Sequence, residues 1–87
     1  MIDYNKIPYS TRETLDAWIR TGRPMGGFCE AVVSNDLREA FGRADENNRA
    51  AMYEIVAYLY NTAPIGSWGR PDCLKSWPKQ VKELTHA

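Results

Sequence analysis

Met52, Ile55, Val56, Leu59 and Tyr60 recur at three- and four-residue spacing. That repeat lays apolar side chains along one side of an α-helix. Tyr53 and Tyr58 widen the stripe, so this segment is the expected central helix. The rest of the chain must supply elements to cover it. Eighty-seven residues suffice for one domain and leave no room for two. The expectation is an all-α fold: a compact bundle of about four helices spanning residues 1–87.

Punctuation residues divide the chain accordingly. Residues 1–9 read as an extended segment, because Pro8 disfavours helix at Ile7. Ser10 and Glu13 have capping-box spacing and open the first helix. Leu15, Trp18 and Ile19 form its apolar face, Asp16 and Arg20 pair outside, and Gly22 with Pro24 ends it. A second helix starts near Met25–Gly27, with Phe28, Val32, Val33, Leu37, Ala40 and Phe41 inward, and stops at Gly42. Ser34, Asn35 and Asp36 prefer caps and turns, yet the segment reads as one helix with a polar notch rather than two short ones. Asp45 caps the third helix. Residues 61–70 are the longest loop, and Pro71 suits the first position of a fourth helix carrying Leu74, Trp77, Val81 and Leu84. Pro78 is expected to break or kink it, and where it breaks 78–87 is a separate short helix or tail.

Charge and cysteine content narrow the function. Eleven basic residues balance 11 acidic ones, whereas nucleic-acid binders draw affinity from a basic excess. A helix-turn-helix regulator would also need basic residues along one exposed helix, and the reading finds none. No apolar run is long enough for a signal peptide or a membrane span. Cys29 and Cys73 form no CxxC pair and read as reduced thiols of a cytoplasm. Cys29 falls in a first helical turn, where the helix dipole lowers a thiol's pKa. A nucleophile also needs a base, and the only histidine is His86, beside the C-terminus. The expectation is therefore no enzyme, no cofactor and no metal.

Two segments have the composition of anion sites. Gly26 and Gly27 precede a helix and follow Arg20 and Arg23. Free N–H groups at a helix start, with arginines nearby, hold phosphate or carboxylate. Gly66-Ser67-Trp68-Gly69-Arg70 repeats the theme with a ring that stacks on a base. Asn35 and Asp36 would read a ligand's polar edge or pair with an arginine. Against this stand plainer readings: glycines for tight turns, Trp68 as a plug in the core, and Asn35 and Asp36 as caps. The eight tyrosines and tryptophans are too many to bury with every polar tip satisfied. Some should face a partner, and a small core favours self-association, so a homo-oligomer is expected.

Several strings carry a resemblance. They are Pro24-Met25-Gly26-Gly27-Phe28, Ser34-Asn35-Asp36-Leu37, Gly42-Arg43-Ala44-Asp45 with Asn48, Tyr58-Leu59-Tyr60-Asn61, Pro64 and Trp68-Gly69. Together they resemble small proteins of no assigned activity encoded by tailed phages, prophages and bacterial mobile elements. The likeness covers roughly residues 8–77, and the tail from Pro78 departs from it. The resemblance assigns no role to particular residues. It implies an origin, namely a phage-type accessory protein acting in a bacterial cytoplasm, where proteins of this size often counter host immunity by binding. The leading expectation is sequestration of a small anionic immune signal such as a cyclic nucleotide. Arg23 and Arg70 would hold it, Gly26 and Gly27 would admit it, and Trp68 would stack on it. Blockade of a host defence protein such as a CRISPR effector ranks second, and a small DNA-binding regulator third.

Overall fold

The computed structural model describes residues 2–86, and for Thr85 and His86 the backbone alone. All regular structure among them is helical. A 3-10 turn at Tyr4–Lys6 precedes α1 (Tyr9–Thr21), α2 (Gly27–Val33), α3 (Leu37–Arg43), α4 (Glu46–Ala50) and α5 (Met52–Thr62). A second 3-10 turn at Ile65–Ser67 leads to α6 (Cys73–His86). The all-α expectation holds, with six α-helices where about four were expected.

The extra divisions have local causes. Asn35 stands in the left-handed region at φ 64°. The Asn35 N–H donates to Val32 O at 3.2 Å and the Asp36 N–H to Ala31 O at 2.8 Å, the two bonds of a Schellman stop. The Asp36 carboxylate then accepts from the Glu39 N–H and caps α3. The expected single helix with a notch is thus two helices, and Gly42 lies inside the second. Asp45 caps α4 as expected, accepting from the Asn48 N–H at 2.8 Å. Ala51, at φ −103° and ψ 12°, interrupts the ladder between α4 and α5.

At the N-terminus the 3-10 turn replaces the expected extended segment. Asp3 caps it, accepting from the Asn5 N–H. Helix α1 starts at Tyr9 with Pro8 as its N-cap and no side-chain cap, so the Ser10–Glu13 box does not form. Proline's fixed φ, here −53°, already directs the chain into the helix.

Leu15, Val33, Ile55, Leu59 and Cys73 are wholly buried, joined by Trp18, Trp77 and Val81. The tryptophans also carry polar tips into the core, where an unpaired N–H is costly. Trp18 Nε1 donates to Ser67 O at 2.8 Å and Trp77 Nε1 to Trp18 O at 2.9 Å. The Gly69 N–H donates to Val33 O at 2.7 Å, tying the 65–69 turn to the end of α2. Buried Thr11 donates to Asn48 Oδ1 at 2.6 Å, linking α1 to α4.

Helix α6 runs through Pro78 unbroken, so of the expected break or kink the break does not occur, and 78–86 is not a separate helix. The proline sits against Gly22, the αL residue that ends α1 at φ 73°. A Cβ on Gly22 would lie 2.8 Å from the Pro78 Cα, so only glycine permits this approach. The juxtaposition fixes the end of α1 against the middle of α6.

Candidate functional site

The residues expected to bind an anion fall in separate places. Asn35, Asp36 and Trp68 do converge on one hollow of about 70 Å³, walled otherwise by apolar side chains including Val32, Ala40 and Met52. That is far below the roughly 300–1,000 Å³ of small-molecule sites. Asn35 and Asp36 are engaged in turning the chain from α2 to α3. Trp68 is half-buried, with its ring edge-on to Tyr60 at 6.4 Å between centroids.

Arg23 lines a different hollow, about 130 Å³, together with Glu13, Thr14 and Pro24. The Glu13 carboxylate beside it opposes an incoming anion. Arg70 is exposed and lies 3.6 Å from the Asp72 carboxylate. Gly26 has open space around it, whereas a Cβ on Gly27 would meet the Arg43 guanidinium at 2.7 Å. Arg43 itself holds Glu39 at 2.9 Å, so an ion pair from α3 lies across the start of α2. The two glycine–arginine segments share no hollow.

Another hollow is cationic and joins Arg20, one of the arginines near Gly26 and Gly27 in sequence, to two lysines for which no role was expected. Arg20 and Thr21 of α1 face Pro78, Lys79, Val81 and Lys82 of α6 across a basin of about 430 Å³. Arg20, Lys79 and Lys82 line it, and among the described residues no carboxylate does; Lys82 also has an interaction of its own. Pro78 and Val81 give it an apolar floor. Thr21 contributes little polarity, since its hydroxyl donates to Ala17 O and accepts from the Arg23 N–H. Two hollows of similar size are less polarised: one has Lys6 alone, the other Arg12 opposed by Asp3. The basin exists because Gly22 admits Pro78 and because α6 continues past it, holding the face of Lys79 and Lys82 against the end of α1. Continuity of α6 also aligns Lys75, Lys79 and Lys82 at i, i+4 and i+7, the basic helical stripe that ending the helix at Pro78 had hidden.

A second feature is an exposed apolar face. Leu37, Phe41, Tyr53, Val56 and Tyr60 were expected in the core and are all solvent-exposed. On α5 the core takes Met52, Ile55, Tyr58 and Leu59, which leaves Tyr53, Val56 and Tyr60 along the far side. On α3 the Schellman stop re-aims the chain, so only Ala40 is buried.

The thiols are poor nucleophiles. Burial pushes Cys29 up to about 11, overriding the dipole effect expected of its place in α2. Burial chiefly also raises Cys73, whose Sγ lies 3.6 Å from Val33 O. The Tyr58 hydroxyl donates to Asp16, and its pKa is raised by burial and by that carboxylate. The side chain of His86 lies outside the described residues. No cluster of three metal-ligating side chains occurs among the described residues, and no helix there is long and apolar enough to cross a membrane. No family profile matches the chain, and neither a curated protein nor a solved structure does.

Proposed function

We propose that the chain is a phage-type counter-defence protein that acts by binding alone, and that it captures a small anionic ligand of the cyclic-nucleotide class. The observation that carries the ligand class is the basin in which Arg20 of α1 faces Lys79 of α6, with Lys82 beside them, no carboxylate lining it among the described residues, and an apolar floor. Its volume of about 430 Å³ falls in the range of small-molecule sites. Arginine grips phosphate oxygens bidentately, and lysines add point charges. Pro78 and Val81 would lie under a sugar or base. The phage origin rests separately on the resemblance over residues 8–77, while the basin draws Lys79 and Lys82 from beyond it.

Titration calorimetry against cyclic di- and trinucleotides tests the reading. Arg20→Ala and Lys79→Ala should each weaken binding about tenfold or more, the ordinary cost of a charge-assisted contact. Arg23→Ala and Arg70→Ala should bind like wild type. Affinity should also fall as salt rises, because the basin is open to solvent. Losses at Arg23 and Arg70 instead would move the ligand to the glycine–arginine segments.

Two competing readings have one feature each. The apolar face of α3 and α5 favours blockade of a host protein. Silence across the nucleotide panel, with counter-defence activity intact in infected cells, would select that reading. The Lys75, Lys79 and Lys82 stripe favours nucleic acid. Three lysines neutralise few phosphates, so any duplex affinity should be weak and lost at moderate salt. Tight, salt-resistant binding of a DNA duplex in fluorescence anisotropy would overturn the small-ligand proposal.

A further inference from the structure

The face formed by α3 and α5 is contiguous. Leu37, Val56 and Trp68 border one hollow. Tyr60 packs edge-on to Trp68, Tyr53 and Val56 follow on the same side of α5, and Phe41 lies one turn beyond Leu37. The exposures are 69% for Leu37, 43% for Phe41, 69% for Tyr53, 40% for Val56 and 78% for Tyr60. With aromatic side chains worth about 150–250 Å² each, these five leave on the order of 500 Å² of apolar surface in water. That is about the size of the largest apolar patch a monomer ordinarily shows, and such patches are often functional. Helix α5 is the extreme case: Ile55 and Leu59 are wholly buried on one side, while Tyr53, Val56 and Tyr60 repeat the apolar pattern on the other. A helix apolar on both sides is one that is covered on both sides.

We infer that this face closes on a second copy of the chain, in a twofold-symmetric dimer centred on α5. Three features fit a copy. The area matches, since a stable dimer takes roughly 600–1,000 Å² from each partner and the polar rim supplies the remainder. The shape is self-complementary in kind, because one face carries both protruding side chains and a dimple of about 70 Å³ sized for a single side-chain tip. The charges around it are mixed: Asp36 and Arg38 flank Leu37, and Arg49 and Glu54 flank Tyr53, so a twofold can set each sign against the other. A rim of one sign would repel its own copy. The dimer does not depend on the ligand reading, because the basin is built from α1 and α6.

Light scattering at about 100 µM, a concentration at which mass action favours a weak dimer, should give twice the chain mass. Val56→Arg and Tyr60→Glu should each yield a monomer with an unchanged far-ultraviolet circular dichroism spectrum. Both sites are exposed, so the fold has no reason to fail. Tyr9→Glu, at an equally exposed tyrosine on α1, should leave the dimer intact. A wild-type monomer at that concentration overturns the inference and returns the face to a different protein partner. A dimer that survives both Val56→Arg and Tyr60→Glu overturns it too, by placing the interface elsewhere. Nucleotide calorimetry on the Val56→Arg monomer reads the basin separately.

Discussion

Replacing Gly22 with alanine tests the junction on which both the fold and the basin depend. Two costs add at this position. The backbone stands at φ 73°, where an L-residue is strained by about 1–2 kcal/mol. The new Cβ would lie 2.8 Å from the Pro78 Cα and 3.2 Å from its Cβ, well inside the usual carbon–carbon separation. A backbone atom on a rigid proline has no rotamer by which to escape, so α1 and α6 must part, at about 1–3 kcal/mol for overpacking. The expected loss is about 2–5 kcal/mol, a large share of what a domain this size possesses. Urea titration should show it as a lowered midpoint with unchanged slope, and heating as a drop of roughly 10 °C or more. Two other glycines separate the contributions. Gly69 has φ 98° with nothing within 4 Å, so Gly69→Ala should cost only the backbone strain, about 1–2 kcal/mol. Gly42 lies in α3 with open space around it, so Gly42→Ala should stabilise by about 0.5–1 kcal/mol through helix propensity. If Gly22→Ala costs no more than Gly69→Ala, the Pro78 contact has no weight and the α1–α6 junction is not held there.

Trp77→Phe should cost about 1–3 kcal/mol in urea titration, mostly as a cavity. The Trp18 carbonyl that loses the indole bond keeps its bond from the Gly22 N–H at 2.8 Å, and a larger loss would mean that second bond does not compensate. The Cys29 thiol gives a pH signature. Folded, it holds its proton to about 11 against an ordinary 9.0, so between those values the folded state binds more protons than the unfolded one. Stability is then full below about pH 9 and falls as pH rises toward 11, by about 2–3 kcal/mol from this group. Cys29→Ala should flatten that slope relative to wild type, and parallel profiles would show that the thiol is hydrated.

The parts of the fold visible in sequence are those set by local rules. Helix α5 with Met52, Ile55 and Leu59 inward, the Asp45 cap and the Gly22 stop depend on side chains a few residues apart, and each appears where the spacing puts it, whereas Val56 and Tyr60 of the same stripe face outward. The failures come from competition between such rules. Asn35 and Asp36 supply both halves of a stop-and-restart, and that outweighed the apolar spacing running from Val32 to Leu37. At Pro78 the opposite happened. Packing of the proline on Gly22, 56 residues earlier in the chain, supports a helix that proline's own propensity argues against. No local window contains both residues.

The same long-range contact is why the basin is not legible in the sequence, where cations near helix ends are. Arg23 and Arg70 are conspicuous beside glycines, yet Glu13 and Asp72 stand next to them in space. Arg20, which the sequence offers both to Asp16 and to the Gly26–Gly27 segment, lines the basin, and Asp16 accepts from Tyr58. Lys79 and Lys82 fall in the segment that the sequence offers as a separate short helix or tail. Only when α6 is continuous are the two lysines held against α1, and only when Gly22 lacks a Cβ does their face meet Arg20. A charged basin built this way has a consequence for Gly22→Ala beyond stability. In the fraction of molecules that remain folded, α1 and α6 must stand further apart. Calorimetry should then show weaker ligand binding than the lost stability alone accounts for, whereas Gly69→Ala should bind like wild type. Equal affinities in the two variants would separate the basin from the junction and leave the arginine and lysines without the geometry argued for them.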